Sequence, residues 1–377
     1  MKIIEIYQKL RAHGIKWFLW RCQQEIIIPT FPVVKKPIDF ILRTKKKLGR
    51  LVKTEAGEYL YGIYDLEVSP ITFNIAEFLC GLEIEAEKKN KSGFVVVFVP
   101  KKNKKIEFKS EYEKIIDEDS TNWRIDNILL QTTRLHPKCK GISILPDRSE
   151  VKHIIKKNDI YPDLYDGINL RSQDIVSFYQ FASKPGVFKG LRATEQGKKY
   201  INQYIKERGI KKKIVTIVIR QYDYDSVRNS NLVEWAKFVE YLITHDYHPL
   251  IIPDTDNAFN KNLPFDNKYI FTDCCWNVQL RMALYEISHL NFSVDGGGGA
   301  IMSFNPLCSC IFMNMNPVGS VVGTAEASRK YMGLEADEQW KYLTEKQHLN
   351  FQSDTFPNIR KEFETFMTLL NSSNATN

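Results

Sequence analysis

The chain has 377 residues, 43% hydrophobic, 12% aromatic and 26% charged, with a net charge of +8. This is a globular composition with room for two domains, and no apolar run reaches the ~20 residues a membrane-spanning helix needs. Seven scattered cysteines, Cys22, Cys80, Cys139, Cys274, Cys275, Cys308 and Cys310, form no C-x-x-C pair. They read as reduced thiols of a cytosolic protein, and the first residues do not read as a secretory signal.

Residues 1–55 form a basic, aromatic, amphipathic segment. Twelve Lys and Arg against three acids give residues 1–50 a net charge of +9, so the rest of the chain is close to neutral. Trp17, Phe18, Leu19 and Trp20, then Ile26 to Ile28, are bunched among these cations. Such a segment suits the headgroup region of an anionic membrane. A helix packing its apolar side on the protein and a nucleic-acid contact are the alternatives. The neutral remainder argues against nucleic acid as a partner.

Residues 56–185 read as a first α/β domain with its linker. Tyr59 to Val68 is a strand, Ile71 to Lys89 a helix and Phe94 to Val99 a buried strand, followed by a helix over 122–135 and a strand over 141–145. Strand and helix in alternation predict a parallel sheet. Asp65 and Glu67 end the first strand, where alternation puts both carboxylates on one face. They are candidates for a catalytic base, with Asp147 and His136 as competitors; a helix C-terminal contact is the other reading of His136. Pro and Gly residues over 160–190 mark the interdomain connection.

Residues 186–350 repeat the rhythm. Helices are expected over 194–208, 231–244 and 278–287, and strands over 214–219, 250–252, 290–294 and 311–313. A C-terminal helix and frayed tail occupy 351–377. Ligands in such sheets bind beyond the carboxyl ends of the strands. Three ends carry chemistry: Arg220 with Arg228 and Asn229, then Asp254, then Asp295 with Gly296, Gly297, Gly298 and Gly299. Arginine forks match phosphate, and glycines before a helix expose N–H groups to an anion. A tight turn needing positive φ is the alternative for the glycines, and a helix cap that for Asn229. Asp223-Tyr224-Asp225 and Asp254-Thr255-Asp256 have the D-x-D form of a metal site, but arginines and glycine N–H groups supply the charge without one. No metal and no cofactor is expected.

The strand ending in Arg220, the Arg228-Asn229 pair and the later strand feeding a glycine-rich helix start occur in an order that resembles GT-B type glycosyltransferases. Residues 190–350 are similar to heptosyltransferase and fucosyltransferase donor domains, although no histidine directly follows the glycine run and Ile219 precedes Arg220. The resemblance implies two Rossmann-like domains facing a cleft. It implies a nucleotide-sugar whose diphosphate lies on Arg220 and the glycines, with Asp254 and Trp276 near the nucleoside and Asp295 near the sugar. The expected function is metal-independent, inverting sugar transfer to a glycan or lipid-linked acceptor in surface polysaccharide synthesis, at the cytoplasmic face of the membrane. A Rossmann oxidoreductase or methyltransferase, and a non-catalytic polyanion-binding protein, are the alternatives.

Overall fold

Runs such as Phe94-Val95-Val96-Val97-Phe98-Val99 are apolar at nearly every position, as strands covered on both faces must be. They assemble into two all-parallel sheets of an α/β fold. The computed structural model describes residues 3–29, 31–50, 57–101 and 117–375. The first sheet holds β1 (Tyr59–Asp65), β2 (Gly93–Val99), β3 (Cys139–Ile144) and β4 (Ile160–Tyr161) in the order β3-β2-β1-β4. The second holds β5 (Lys213–Val218), β6 (Tyr247–Ile252), β7 (Leu290–Val294), β8 (Cys310–Met313) and β9 (Gln347–Leu349), ordered β6-β5-β7-β8-β9.

By packing, the chain divides into two units. One comprises Met1–Pro70, Glu85–Asp117 and Lys138–Asp174; the other comprises Ile71–Ile84, Glu118–Pro137 and Ile175–Asn377. The division falls at Asp174 rather than at residue 185, and two stretches of the expected first domain belong to the second unit.

In the first unit Ile63, Val97, Val99, Leu145, Ile160 and Leu170 form the core, with Ile27 and Ile28 packed on it. Helix α1 (Ile3–Ile27) breaks at Gly14, whose φ of 73° leaves the helical region, and α2 (Pro32–Arg50) follows. Trp17 and Leu42 are buried. The Leu170 N–H donates to the Ile27 carbonyl at 2.9 Å, and Arg171 pairs with Asp39 at 2.5 Å. The opposite side presents Phe18, Leu19, Ile26, Val33, Phe40, Ile41 and Leu48 to solvent. One face of the basic segment is therefore packed and the other is bare.

In the second unit the core gathers Trp235, Phe238, Phe292 and Phe363. The long C-terminal helix Phe356–Ala375 contributes Ile359, Phe363, Phe366 and Met367 to that core. All seven cysteines are free, and five are buried. No helix among the described residues is long and apolar enough to cross a membrane.

Candidate functional site

The chain leaves β5 for β6 on one side and later returns as β7 on the other, so a crevice opens beyond the carboxyl ends of β5 and β7. Val218 of β5 lies level with Ser293 of β7 and with Ile252 of β6. The segments that follow these three strand ends meet at that edge.

Arg220 begins a loop that closes on itself. Its N–H donates to the Ser230 hydroxyl at 2.9 Å, and the Ser230 N–H returns to the Arg220 carbonyl at 2.9 Å. The guanidinium donates to the carbonyls of Tyr224 at 2.6 Å and Asp225 at 3.2 Å, and to the Asn229 side-chain oxygen. All are neutral acceptors, so no carboxylate among the described residues pairs with Arg220. Burial, then the nearby Arg228 charge, lowers its pKa. Asn229 is spent inside the loop: its Oδ1 accepts the Tyr222 N–H at 3.0 Å and its Nδ2 donates to the Tyr222 carbonyl at 3.1 Å. It organises Arg220 rather than offering its amide to a ligand.

The four glycines are explained by contact, not by backbone conformation. None has a positive φ, which removes the tight-turn reading. A Cβ on Gly296 would lie 3.1 Å from Arg220 Cδ, and one on Gly297 would lie 3.2 Å from the Phe73 ring. On Gly298 it would fall 2.2 Å from Arg281 Nη1, and on Gly299 2.1 Å from the Ser293 hydroxyl. The approach is closest at Gly298 and Gly299, and side chains of the protein make it at all four positions. The first-turn N–H groups of Gly297, Gly298 and Gly299 meet no acceptor among the described residues.

Arg228 and Asp295 neutralise each other. Arg228 Nη2 donates to Asp295 Oδ1 at 2.8 Å, and Asp225 lies 3.7 Å from Nη1. Asp225, at φ 56°, accepts the Ser320 hydroxyl at 2.7 Å and the Val321 N–H at 3.0 Å. Burial opposes ionisation of Asp225, but these donors hold its pKa below the ordinary value. The second aspartate of the first D-x-D is thus occupied by the segment 320–322. No group of three or more metal-ligating side chains occurs among the described residues.

Asp254 follows β6 and accepts the Gln221 N–H at 3.1 Å, which ties the β5 and β6 ends together. Burial, the largest cause, raises its pKa. The exposed Phe259 ring lies 5.2 Å from Trp276, centroid to centroid, forming an aromatic shelf beside this end of the sheet. The short helix Asp273–Trp276 carries that tryptophan.

Sequence reasoning missed Arg281. It lies in the helix Val278–Ile287, on the buried face with Val278, Met282 and Tyr285, and is 4% exposed. Its Nε donates to the Cys274 carbonyl at 2.6 Å, and its guanidinium lies 6.0 Å from the Phe73 ring centre. The terminal nitrogens meet no acceptor, and no carboxylate pairs with them, among the described residues. The signal was available: a lone arginine at 3.6-residue spacing on an apolar stripe.

The first sheet holds the other candidates. β1 ends at Asp65, so alternation does not extend to Glu67, which lies in the following turn. Asp65 is fully buried and accepts both Arg148 terminal nitrogens at 2.8 and 2.6 Å, the Tyr165 hydroxyl at 2.6 Å and the Glu67 N–H at 3.0 Å. Four donors fill a carboxylate's acceptor sites. Asp65 is therefore a buried structural anion, without a lone pair to take a substrate proton. Burial and Asp65 together push the Tyr165 phenol up. Asp147 caps the turn Arg148–Glu150 through the Ser149 N–H at 2.8 Å. In the second unit His136 is buried against Glu83 at 3.1 Å instead of serving a helix C-terminus. Glu83 also accepts the N–H groups of Lys189 and Gly190 at 3.0 Å each.

No family model and no curated protein matches the chain. Solved structures do. The glycosyl transferase family 9 protein from Veillonella parvula DSM 2008 has a TM-score of 0.50 at 10% identity, over 83% of this chain and 99% of that one. The E. coli ADP-heptose LPS heptosyltransferase II has a TM-score of 0.50 at 9% identity, over the same shares. The chain has the two-sheet α/β fold of these GT-B glycosyltransferases.

Proposed function

We propose that the protein is a glycosyltransferase that takes a sugar from a nucleotide donor. The observation that carries this reading is the convergence of Arg220 with the glycine turn at the β5/β7 edge: the arginine stem lies on Gly296, and no carboxylate among the described residues bonds to its guanidinium. A nucleotide diphosphate would meet that charge and the free N–H groups of Gly297, Gly298 and Gly299, while its nucleoside reaches the shelf of Trp276 and Phe259 beside Asp254. Asp295 is held by Arg228 and bounds the sugar side. Fixed positive groups aimed at the departing diphosphate lower the barrier without a metal ion. In an inverting displacement the acceptor oxygen bonds to the anomeric carbon, the bond to the phosphate oxygen breaks, and a carboxylate takes the acceptor proton. With Asp65 occupied, Glu67 is the base this reading retains.

The dinucleotide-enzyme alternative needs its glycine fingerprint after the first strand of the sheet. The turn after β5 is Arg220-Gln221-Tyr222, without a glycine, and no observation favours that reading. The acceptor is a glycan or lipid-linked sugar of surface polysaccharide synthesis, reached at the cytoplasmic face of an anionic membrane through the basic segment of residues 1–50. The bare apolar side of α1 and α2 supports that location.

The test is thermal unfolding with ADP, GDP and UDP in turn. A ligand at a hundred times its Kd stabilises by about 2.7 kcal/mol, and one of the three is expected to do so. Arg220→Ala should remove that gain. Failure of all three to stabilise the wild-type chain would sink the proposal.

A further inference from the structure

We infer that Arg281 is a buried binding residue for a diphosphate, a role that rests on the transferase reading for its function but not for its chemistry. Three observations converge on it. Arg281 is 4% exposed as a residue, yet its guanidinium pairs with no carboxylate among the described residues. Of its three nitrogens only Nε is spent, on the Cys274 carbonyl. Its Nη1 occupies the space that a side chain at Gly298 would fill, 2.2 Å from the Cβ position, beside N–H groups that also lack acceptors. A guanidinium largely removed from water with no carboxylate bonded to it is unfavourable, so a site that retains one is arranged for a counter-ion from outside.

The stem of Arg220 lies over Gly296, its Cδ 3.1 Å from the Cβ position there. Two arginines over alternate glycines present two positive charges to adjacent phosphoryl groups, so a diphosphate fits where a single phosphate would leave one charge unmet. Arg228, the third arginine, is already neutralised by Asp295. In transfer, the electron pair of the broken carbon–oxygen bond stays on the terminal phosphate oxygen. Arg281 would bind the charge that grows there.

Inorganic pyrophosphate titrated calorimetrically into the full chain tests this. Arg281→Met should weaken binding roughly thirtyfold or more, as loss of one partner from a buried charge pair does. Arg281→Lys should recover part of the affinity. Without the anion, Arg281→Met should unfold at the wild-type temperature or above, because it removes a buried charge that no carboxylate bonds; a structural arginine would lower it. Gly298→Ala provides the independent check, since its Cβ takes the place of Nη1 and should reproduce the loss. Equal pyrophosphate binding by wild type and Arg281→Met would overturn the assignment, as would a lowered unfolding temperature with binding unchanged. Arg281-dependent pyrophosphate binding, with no gain from any nucleoside diphosphate, would leave the site standing and defeat the transferase reading. Nucleoside diphosphates binding equally to wild type and Arg281→Met would do the reverse.

Discussion

Glu77 occupies the first turn of α3 (Ile75–Lys88), 7% exposed, and burial pushes its carboxyl from 4.5 up to about 8. Tyr179, Tyr342 and Cys80 face it, each held further toward its neutral form by the carboxylate. In the unfolded chain the group loses its proton near its ordinary value, whereas in the folded chain it keeps it to about 8. The folded state therefore binds more protons across that window, and stability falls as pH rises through it, then levels above 8. Glu77→Gln, neutral throughout, should match wild type near pH 4.5 and exceed it at pH 8.5 by about 4 kcal/mol in denaturant unfolding. A difference that does not change with pH would refute this account. The residue scale is also where the sequence was least legible. Asp65 has the look of a catalytic base because it ends a strand; its donor Arg148 lies 83 positions away, and no local pattern reveals that pairing. Arg281 failed to stand out for the converse reason. A charged residue inside a helix is normally solvated, whereas Arg281 lies on the buried face of its helix, against Cys274, Phe73 and the glycine turn.

Elements were far more legible, because hydrophobic period is local. The helix over Val278–Ile287 and the strand over Leu290–Val294 agree with expectation to the residue, and the helix expected over 194–208 runs Glu195–Glu207 with Thr194 as its cap. The two strands that escaped notice, Ile160–Tyr161 and Gln347–Leu349, are too short to carry a period and exist only through pairing with β1 and β8. The helix expected over 122–135 instead begins at Glu118 and contains a wider-turned stretch at Ile125–Leu130. The glycine turn was legible as a place needing glycine, but not as to what approaches. Its tightest contact fixes a prediction: in Gly299→Ala the new Cβ would lie 2.1 Å from Ser293 Oγ and 2.5 Å from its Cβ, both at the end of a buried strand. Overpacking of that kind destabilises by about 1–3 kcal/mol. Ser293→Gly in the same chain should restore most of the loss in chemical denaturation. Wild-type stability of Gly299→Ala alone would show that the turn yields freely and that contact does not explain the glycine.

The whole molecule contrasts two sheets of the same design. In the first, the strand order reverses at β1, and the protein fills the end of that strand with Asp65, Arg148 and Tyr165. In the second, it reverses at β5, where Arg228 pairs with Asp295 while Arg220 and Arg281 bond to no carboxylate among the described residues. Charge is divided as unevenly: residues 1–50 carry +9 in a chain of +8. On α2 the exposed Val33, Phe40, Ile41 and Leu48 recur at helical spacing, flanked by the exposed Lys36, Arg43 and Lys47, while Leu42 is buried on the other side. Phe40 and Ile41 are 72% and 52% exposed, so replacing both with serine should leave the unfolding temperature unchanged. If this face enters an anionic leaflet, each large apolar side chain contributes about 1.5–3 kcal/mol, and the double variant should partition at least tenfold more weakly onto anionic vesicles. Salt separates the two charged regions. Exposed lysines are screened strongly and a buried arginine much less, so raising the salt should release the protein from vesicles before it weakens pyrophosphate binding. Sedimentation with vesicles beside a pyrophosphate titration reads both. Equal partition of the double variant and the wild type would mean that the apolar face meets no membrane.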